Sequence, residues 1–373
     1  MDTKTRYTVI GAGNGGKAMA AHLALMGFPV TLYNRTPEHV AAIKTRGGIE
    51  LQGREGGFGE LALVTSDMGE ALAEAQVIMV VIPATGHAEV ARDAAPYLED
   101  GQIVLLNPGR TGGALEFVHV LRRCNCEADV TVAEAETLIY ASRSEGPAQA
   151  RIFRIKEAVP LAALPASRTP QVLETLSSAY PLFIDGESVL HTSLNNMGAI
   201  FHPALTILNA GRIESTRGDF QFYIDGVTPS VARVLEALDR ERVTVAAAMG
   251  IRARTGMEWL RMAYDARGAT LHEAIHNQPG YRGINAPPTL NHRYITEDVP
   301  MSLVPIAALG QKHGVRVQGM DSIIRQACII HQTDYWRRGR TLDKLGIKKL
   351  SVGELMRYVM EGTSTLHSFH EWL

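Results

Sequence analysis

Hydrophobic and polar positions follow two different patterns along the chain, and the change falls near residue 186. Before it, β-rich runs alternate with runs of helical spacing: YTVI precedes a helix predicted over residues 16–26, VTLY precedes one over residues 38–46, and the strands VIMVVI and IVLL follow. This alternation predicts a parallel, doubly wound sheet. A hairpin of IELQG and LALVTS is predicted within residues 48–66, and VTVAEAE, RIFRI and VPLAAL are expected to extend the sheet.

After residue 186 the apolar positions recur at helical spacing, and strand alternation is nearly absent. Helices are predicted over residues 188–212, 230–249, 256–266, 271–276 and 320–331. The chain is therefore predicted to be an α/β protein with an N-terminal Rossmann-type doubly wound domain, residues 1–186, and an all-helical C-terminal domain, residues 187–373.

Charge and cysteine content narrow the class of partner. Thirty-seven Lys and Arg against 39 Asp and Glu give a net charge of −2 without a basic block, so we expect neither nucleic acid nor a membrane surface as partner. The longest apolar run, residues 77–82, is far shorter than the roughly 20 residues of a membrane span, and no signal peptide is expected before the first strand, which predicts a cytoplasmic protein. The three cysteines form neither a disulfide framework nor a zinc pattern, so we expect no metal.

A glycine-rich loop joins the first predicted strand to the first helix. Gly11, Gly13 and Gly16 form G-x-G-x-x-G in YTVIGAGNGGKAMA, with Asn14 and Gly15 between them. The first glycine permits a tight turn, the second lets the backbone approach a pyrophosphate, and the third allows close packing of the helix on the sheet. Strand, loop and helix in this order predict a dinucleotide site.

The residues after the second strand bear on the choice of cofactor. An acidic residue at this point typically binds the ribose 2′-hydroxyl of NAD, but the sequence has Asn34 and Arg35. Asparagine does not repel a 2′-phosphate and arginine can donate to it, so NADP is predicted, with NAD as the alternative. The competing interpretation is that Arg35 is a solvated loop charge. Pro83, Asn107 and Gly109 follow two later strands and are also predicted to line the cofactor site.

Six segments together resemble the opine dehydrogenases of the octopine and nopaline dehydrogenase family: IGAGNGG, LNPGRTGGALEF, HTSLNN, FHP, RYITEDVP and GRTLDKLGI. The resemblance runs over nearly the whole chain in order. It implies a Rossmann domain, a helical domain, catalysis in the cleft between them, and reductive joining of an amino acid to a 2-keto acid through an imine. The motif histidine and aspartate of the family correspond to His202 and Asp298. This chain differs from a related member of the family at two positions: that member has an acidic residue where this chain has Asn34, and asparagine where this chain has Gly198.

His202 stands directly before Pro203 in the apolar run GAIFHPALT. Histidine exchanges a proton near neutral pH, and a carboxylate partner fixes its tautomer. Since proline disfavours helical dihedrals at the preceding residue, we expect a break in the helix at His202. The alternative is a buried core histidine. Asn195 and Asn196 are predicted to orient the substrate or the cofactor, or else to bond neighbouring backbone.

RYITEDVP is predicted to be a polar loop that brings Asp298 to the site, with Glu297 as the alternative partner of His202. Both substrates carry carboxylates, for which Arg143, Arg212 and Arg293 are the candidate ligands. A homodimer is also expected.

Three rival functions remain open. HEAIH, residues 272–276, matches the zinc-protease pattern, but NQPG ends its helix at once and no third ligand is evident. A ketopantoate reductase or 3-hydroxyacid dehydrogenase typically uses a lysine, and none occurs between Lys156 and Lys312. A catalytically silent NADP-binding sensor would keep the glycines without needing His202 and Asp298.

Overall fold

A computed structural model describes residues 4–362, and its strands form two sheets. The strands are β1 Tyr7–Ile10, β2 Val30–Tyr33, β3 Gly48–Gly53, β4 Gly57–Glu60, β5 Leu63–Thr65, β6 Val77–Val80, β7 Ile103–Leu106, β8 Thr131–Ala135, β9 Tyr140–Gly146, β10 Gln149–Ile155, β11 Val159–Leu164 and β12 Phe183–Asp185.

The larger sheet has the strand order β12-β11-β8-β7-β6-β1-β2-β5. Its strands from β5 to β8 in this order are parallel, whereas β11 runs antiparallel to β8. All residues of β1, β6 and β7 are buried, which is why these strands are continuous apolar runs: a central parallel strand is covered on both faces. The predicted Rossmann-type sheet is confirmed, with an antiparallel strand that the sequence pattern did not indicate.

The smaller sheet has the order β4-β3-β10-β9 and corrects two predictions. IELQG pairs with GFGE as the hairpin β3–β4, whereas β5, from the LALVTS run, joins the larger sheet beside β2. RIFRI, in β10, also belongs to the smaller sheet. The glycines of GFGE concealed a strand, because glycine is depleted in strands. Close packing explains the glycine at residue 59, since a Cβ there would lie 2.6 Å from the carbonyl oxygen of Ala21 in the first helix.

The helices range in length from 4 to 20 residues. They are α1 Asn14–Leu25, α2 Ala41–Arg46, α3 Met68–Leu72, α4 His87–Ala94, α5 Gly113–Arg123, α6 Thr169–Leu176, α7 Val189–Leu194, α8 Gly198–Leu208, α9 Ala210–Thr216, α10 Pro229–Ala248, α11 Gly256–Tyr264, α12 Leu271–His276, α13 Arg293–Thr296, α14 Val304–Lys312, α15 Gln318–His331, α16 Tyr335–Arg338 and α17 Val352–Glu361. Single turns of 3-10 helix cover Pro37–His39, Ala84–Gly86, Ala95–Tyr97, Ala166–Arg168 and Pro279–Tyr281, and a π-helical turn covers Val299–Leu303.

The chain divides into two units by its contacts. Among the described residues, unit 1 contains 4–109, Gly113–Thr192 and 349–362, and unit 2 contains Arg110–Gly112 and Ser193–Lys348. The predicted division at residue 186 therefore differs from the observed one. The last helix, α17, returns to unit 1 because its apolar face packs there, with the Tyr358 ring 5.2 Å from the Arg122 guanidinium.

In unit 1, α1 packs between the two sheets. Its residues from Gly16 to Ala21 are all buried, and the small residues Gly16, Ala18, Ala20 and Ala21 suit a helix that is covered on two sides.

Unit 2 is helical, as predicted, but two of its segments differ from expectation. The helix predicted over residues 188–212 is three helices, α7, α8 and α9, and α8 continues through His202 and Pro203. The predicted break at His202 is wrong: α8 begins only at Gly198, so Pro203 forfeits a single early hydrogen bond. RYITEDVP is not a loop, since α13 and the π-helical turn cover most of it.

Within residues 4–362, no helix combines the length and the apolar character that crossing a membrane requires.

Candidate functional site

The glycine-rich loop of unit 1 has the geometry that a pyrophosphate site requires. Gly11 has φ +112°, a backbone conformation that favours glycine. A Cβ at Gly16 would lie 1.8 Å from the carbonyl oxygen of Gly11, so only glycine permits this approach of α1 to the strand. A Cβ at Gly13 would have no described atom within 4 Å. The loop is tight at both ends and open at its centre, in front of the amino end of α1, where helix geometry favours an anion.

Asn14 and Gly15 complete the loop by packing against its surroundings. The side-chain oxygen of Asn14 accepts a hydrogen bond of 2.9 Å from the backbone N–H of Ser144. A Cβ at Gly15 would lie 3.0 Å from both Leu138 and Val81 side chains. Asn14 thus ties the loop to β9, and Gly15 keeps the loop close to the strand ends.

A cavity of about 480 Å³ lies beside the loop in unit 1 and extends past the end of β2. Asn34, Arg35 and Pro83 all line it, together with Gly11. Residues predicted at the ends of two different strands therefore share one cavity. Its volume falls within the range of ligand pockets, about 300–1,000 Å³.

Arg35 is an ion-paired residue in this cavity. One of its terminal nitrogens lies 2.7 Å from each carboxylate oxygen of Glu89, which is in the first turn of α4. This pairing differs from both sequence interpretations, which took Arg35 to be either a phosphate ligand or a solvated charge.

Asn107 and Gly109 lie after β7, at the carboxyl end of the larger sheet. The Asn107 side chain is buried, and its amide nitrogen donates to the carbonyl oxygen of Leu105 at 3.0 Å. The amide oxygen of Asn107 is buried without a hydrogen-bond partner among the described residues, so it is available to a ligand N–H. Gly109 packs against Glu134, whose carboxylate would lie 2.4 Å from a Cβ at that position.

In unit 2 the His202 ring is paired with Asp298. Nδ1 of His202 lies 2.9 Å from a carboxylate oxygen of Asp298, and the side chain of Asp298 is fully buried. Burial by itself raises the pKa of Asp298, but the attraction of Arg110 and His202 outweighs it and holds that pKa below its ordinary value. Asp298 is therefore a carboxylate near neutral pH, and it accepts the hydrogen of Nδ1. The tautomer so fixed leaves Nε2 of His202 to exchange a proton.

Arg110 holds both acids of the Glu-Asp pair. A terminal nitrogen lies 3.2 Å from Asp298, and its Nε donates to Glu297 at 3.3 Å. The side chains of Glu297 and Asp298 are only 3% and 0% exposed, so a cation is required between them. Arg293 contacts the other oxygen of Glu297 at 2.8 Å. Two arginines and two acids therefore balance in charge around His202.

Aromatic rings fix the plane of His202. The Tyr294 ring stacks on the imidazole with centroids 4.2 Å apart, and the Phe222 ring stacks on Tyr294 with centroids 5.3 Å apart. Gly198, on α8 with His202, leaves room for the Arg110 guanidinium and the His202 ring, since a Cβ at residue 198 would lie 3.0 Å from Arg110 and 3.4 Å from Nδ1 of His202. The imidazole is held by a carboxylate, a stacked ring and a close arginine, while its side chain remains 22% exposed.

Comparison with known proteins agrees with both halves of this description. A family model of the α-helical domain of NAD/NADP octopine/nopaline dehydrogenases matches residues 185–331, and a model of the N-terminus of NAD-dependent glycerol-3-phosphate dehydrogenase matches residues 6–113. An opine dehydrogenase of Arthrobacter sp. (strain 1C) is 41% identical over 353 residues, which cover 94% of this chain and 98% of that protein. The chain belongs to the opine dehydrogenase family. It is an NAD(P)-dependent oxidoreductase that acts on CH–NH bonds.

Solved opine dehydrogenases share the fold. Octopine dehydrogenase with NADH and L-arginine superimposes with a TM-score of 0.81 at 19% identity and covers 95% of this chain and 98% of its own. Yersinopine dehydrogenase with NADP⁺ gives a TM-score of 0.73 at 15% identity, covering 95% and 96%. The Rossmann-type sheet and the helical second domain predicted from the sequence are confirmed as the opine dehydrogenase fold.

The remaining predicted residues of this opine dehydrogenase lie in different places. Asn195 accepts a hydrogen bond from the backbone of Arg254 at 2.9 Å, and Asn196 donates to Ser302 at 3.0 Å. Both amides position protein groups, so a substrate role for them stays a prediction.

One of the three candidate arginines, Arg293, lies in the cluster that contains His202 and Asp298. Arg293 contacts the Glu297 carboxylate beside them. Arg212 instead donates to the carbonyl oxygen of Asp225 at 3.1 Å and lies over the Phe220 ring at 4.2 Å. Arg143 is exposed on β9 of unit 1.

The HEAIH segment forms most of α12, and its second histidine, His276, contacts protein acceptors with both ring nitrogens. The two ring nitrogens of His276 lie 2.8 Å and 2.9 Å from the carbonyl oxygens of His272 and Ile224. Glu273 accepts a hydrogen bond from the backbone of Ala269. Within residues 4–362 no group of three or more acidic, histidine or cysteine side chains is arranged to hold a metal ion.

Sequence reasoning missed Arg110, Tyr294 and Glu89. Arg110 stands in LNPGRTGG directly after Gly109, so its position at a strand end was a usable signal. Tyr294 stands in RYITEDVP, the segment that supplied Asp298, so it too had a usable signal. Glu89 lies in the first turn of α4 and gives no comparable signal.

Proposed function

We propose that this chain joins the amine of an amino acid to a 2-keto acid through an imine, with His202 as the proton-transfer group. The observation that carries the proposal is the 2.9 Å pair of His202 with the buried carboxylate of Asp298. In support, the relative from Arthrobacter is named an opine dehydrogenase, and octopine dehydrogenase has been solved with L-arginine and, separately, with pyruvate, each alongside NADH.

The residues of unit 1 fit a dinucleotide. The open centre at Gly13 and the amino end of α1 suit the pyrophosphate, the cavity lined by Asn34 and Pro83 suits the adenosine half, and the unpaired oxygen of Asn107 suits a carboxamide N–H. When bound, the reduced cofactor supplies the hydride that converts C=N to CH–NH.

His202 supplies and removes the protons of the condensation. The amine nitrogen attacks the keto carbon, and one of its protons passes to the oxygen to give a carbinolamine. Nε2 of His202 then protonates the hydroxyl of this adduct, which leaves as water, and the iminium that remains keeps one N–H. Before it gives up this proton His202 is an imidazolium, which Asp298 stabilises by accepting a hydrogen bond from its Nδ1–H. In the reverse direction the neutral imidazole accepts a proton from the water that attacks the iminium carbon.

Arg293 is the proposed ligand of a substrate carboxylate. Of the three candidate arginines it is the one whose described contacts reach the cluster of His202 and Asp298. Its side chain is 52% exposed, so part of the guanidinium is free to make the paired hydrogen bonds that arginine forms with carboxylates.

A two-substrate assay tests the function. Reduced cofactor should be consumed when an amino acid and a 2-keto acid are both present, with a secondary-amine product identified by its mass. Equal consumption with the keto acid alone, giving a hydroxy acid, would show instead a 2-ketoacid reductase. The homodimer stays a prediction, which light scattering of the purified protein checks.

A further inference from the structure

The pairing of Arg35 with Glu89 has a consequence for cofactor choice. Arg35 follows β2, where Rossmann proteins contact the adenosine ribose, and Glu89 reaches it from α4, 54 residues further on. The same terminal nitrogen of Arg35 lies 2.7 Å from both oxygens of Glu89. The positive charge that would attract a 2′-phosphate is thereby already matched by a carboxylate in the same cavity.

The wider charge of this cavity is also acidic. Among the lining residues in the described part of the chain, 4–362, Glu89 and Asp93 are acids, and Arg35 is the one arginine or lysine. The pKa of Tyr33 is raised by burial and then by Asp93, and Glu89 adds to this rise whereas Arg35 opposes it. A dianionic phosphate would therefore enter a cavity in which carboxylates outnumber guanidinium groups.

A ribose with a free 2′-hydroxyl meets the opposite situation. A hydroxyl can donate a hydrogen bond to a carboxylate, whereas a phosphate has only acceptor oxygens and a negative charge. Even if Arg35 turned toward a phosphate, the carboxylate of Glu89 would remain at the edge of the same cavity.

We propose that Glu89 is a specificity-determining residue for the cofactor: by neutralising Arg35 it favours NADH over NADPH. Glu89 lies outside the loop after β2. An acid on α4 therefore takes the role of the acidic residue that NAD-binding proteins typically have in that loop, where this chain has Asn34. The inference rests on the proposed cofactor site but not on the amino acid chemistry.

Glu89→Gln tests the proposal by cofactor binding alone. The side chains of Arg35 and Glu89 are 68% and 49% exposed, and exposed ion pairs contribute little to stability, so the variant should fold with an unchanged melting temperature. Isothermal titration with NADH and with NADPH, in the absence of substrates, gives both dissociation constants. Wild type should bind NADH more tightly, and E89Q should bind NADPH at least about tenfold more tightly than wild type, as expected for one charge-assisted contact regained.

Two further variants distinguish the effect of the Arg35–Glu89 pair from the effect of the net charge of the cavity. Asp93→Asn removes an acid from the same helix and cavity without touching Arg35 in the described contacts, so it should improve NADPH affinity by clearly less than E89Q. The double variant R35Q/E89Q should lose the improvement, because the released guanidinium is its cause.

Four results would overturn the inference. NADPH affinity that is unchanged or weaker in E89Q would mean that Glu89 does not exclude the phosphate, or holds Arg35 ready for it. An equal gain in D93N would assign the effect to net charge, and a gain that persists in R35Q/E89Q would remove Arg35 from the explanation. If wild type and E89Q bind neither cofactor, the proposed cofactor site itself is wrong.

Discussion

Arg110→Gln removes the cation that lies between two buried acids, and its effect can be worked out from the structure. Arg110 lies 3.2 Å from Asp298 and 3.3 Å from Glu297. At an effective dielectric constant of about 20, a pair of unit charges at 3.2 Å attracts by roughly 5 kcal/mol. Desolvation of the guanidinium offsets part of this attraction, and breaking a buried pair by removing one partner typically costs about 3–5 kcal/mol. We expect R110Q to lower the free energy of unfolding of unit 2 by that amount.

Arg212→Gln is a matched control, because it makes the same change in the same unit at an exposed pair. Arg212 lies 4.0 Å from Asp225 with both side chains more than a third exposed, so its loss should cost less than about 1 kcal/mol. Urea unfolding followed by tryptophan fluorescence suits the comparison, since Trp259 and Trp336 both lie in unit 2.

The pH dependence gives a second check on the same variant. Arg110 is the strongest of the attractions that lower the pKa of Asp298, so R110Q should raise that pKa and the loss of stability should shrink as the pH falls. The reasoning is refuted if R110Q unfolds at the same urea concentration as R212Q.

Further predictions concern the same cluster. Asp298→Asn should lower turnover by about 10² to 10⁴ with cofactor affinity retained, because an amide permits the wrong tautomer of His202; near-wild-type turnover would remove Asp298 from the mechanism. The folded pKa of Asp298 lies below its ordinary 3.8, so its contribution to stability is complete above about pH 4 and is lost as the pH falls through the folded pKa. Acid unfolding of D298N should therefore lack the loss of stability that wild type shows in this pH range. Identical acid unfolding of D298N and wild type would contradict this prediction. Arg293→Gln should raise the KM of one substrate more than it lowers kcat, whereas unchanged constants for both substrates would exclude Arg293 as a carboxylate ligand.

Local geometry explains which features the sequence predicted well. Gly11, Gly13 and Gly16 act within six residues, so their spacing alone determines the turn, the open centre and the close helix. The buried strands β1, β6 and β7 are likewise recognisable, because coverage on both faces requires a continuous apolar run.

Long-range contacts explain what the sequence could not predict. Arg110 and Glu297 are 187 residues apart, and Arg35 and Glu89 are 54 apart; no periodicity relates such pairs. The link between His202 and Asp298, 96 residues apart, came from family resemblance and not from spacing. Polarity was also misleading at RYITEDVP, whose acids are buried because Arg110 and Arg293 neutralise them.

The central claim, that His202 transfers the proton, is tested most directly by the turnover of His202→Ala with an amino acid and a 2-keto acid at saturating reduced cofactor. We expect a fall of about 10² to 10⁴, with the dissociation constant of the cofactor within threefold of wild type. A core histidine would give the contrary result: a lower melting temperature, with turnover per folded molecule close to that of wild type.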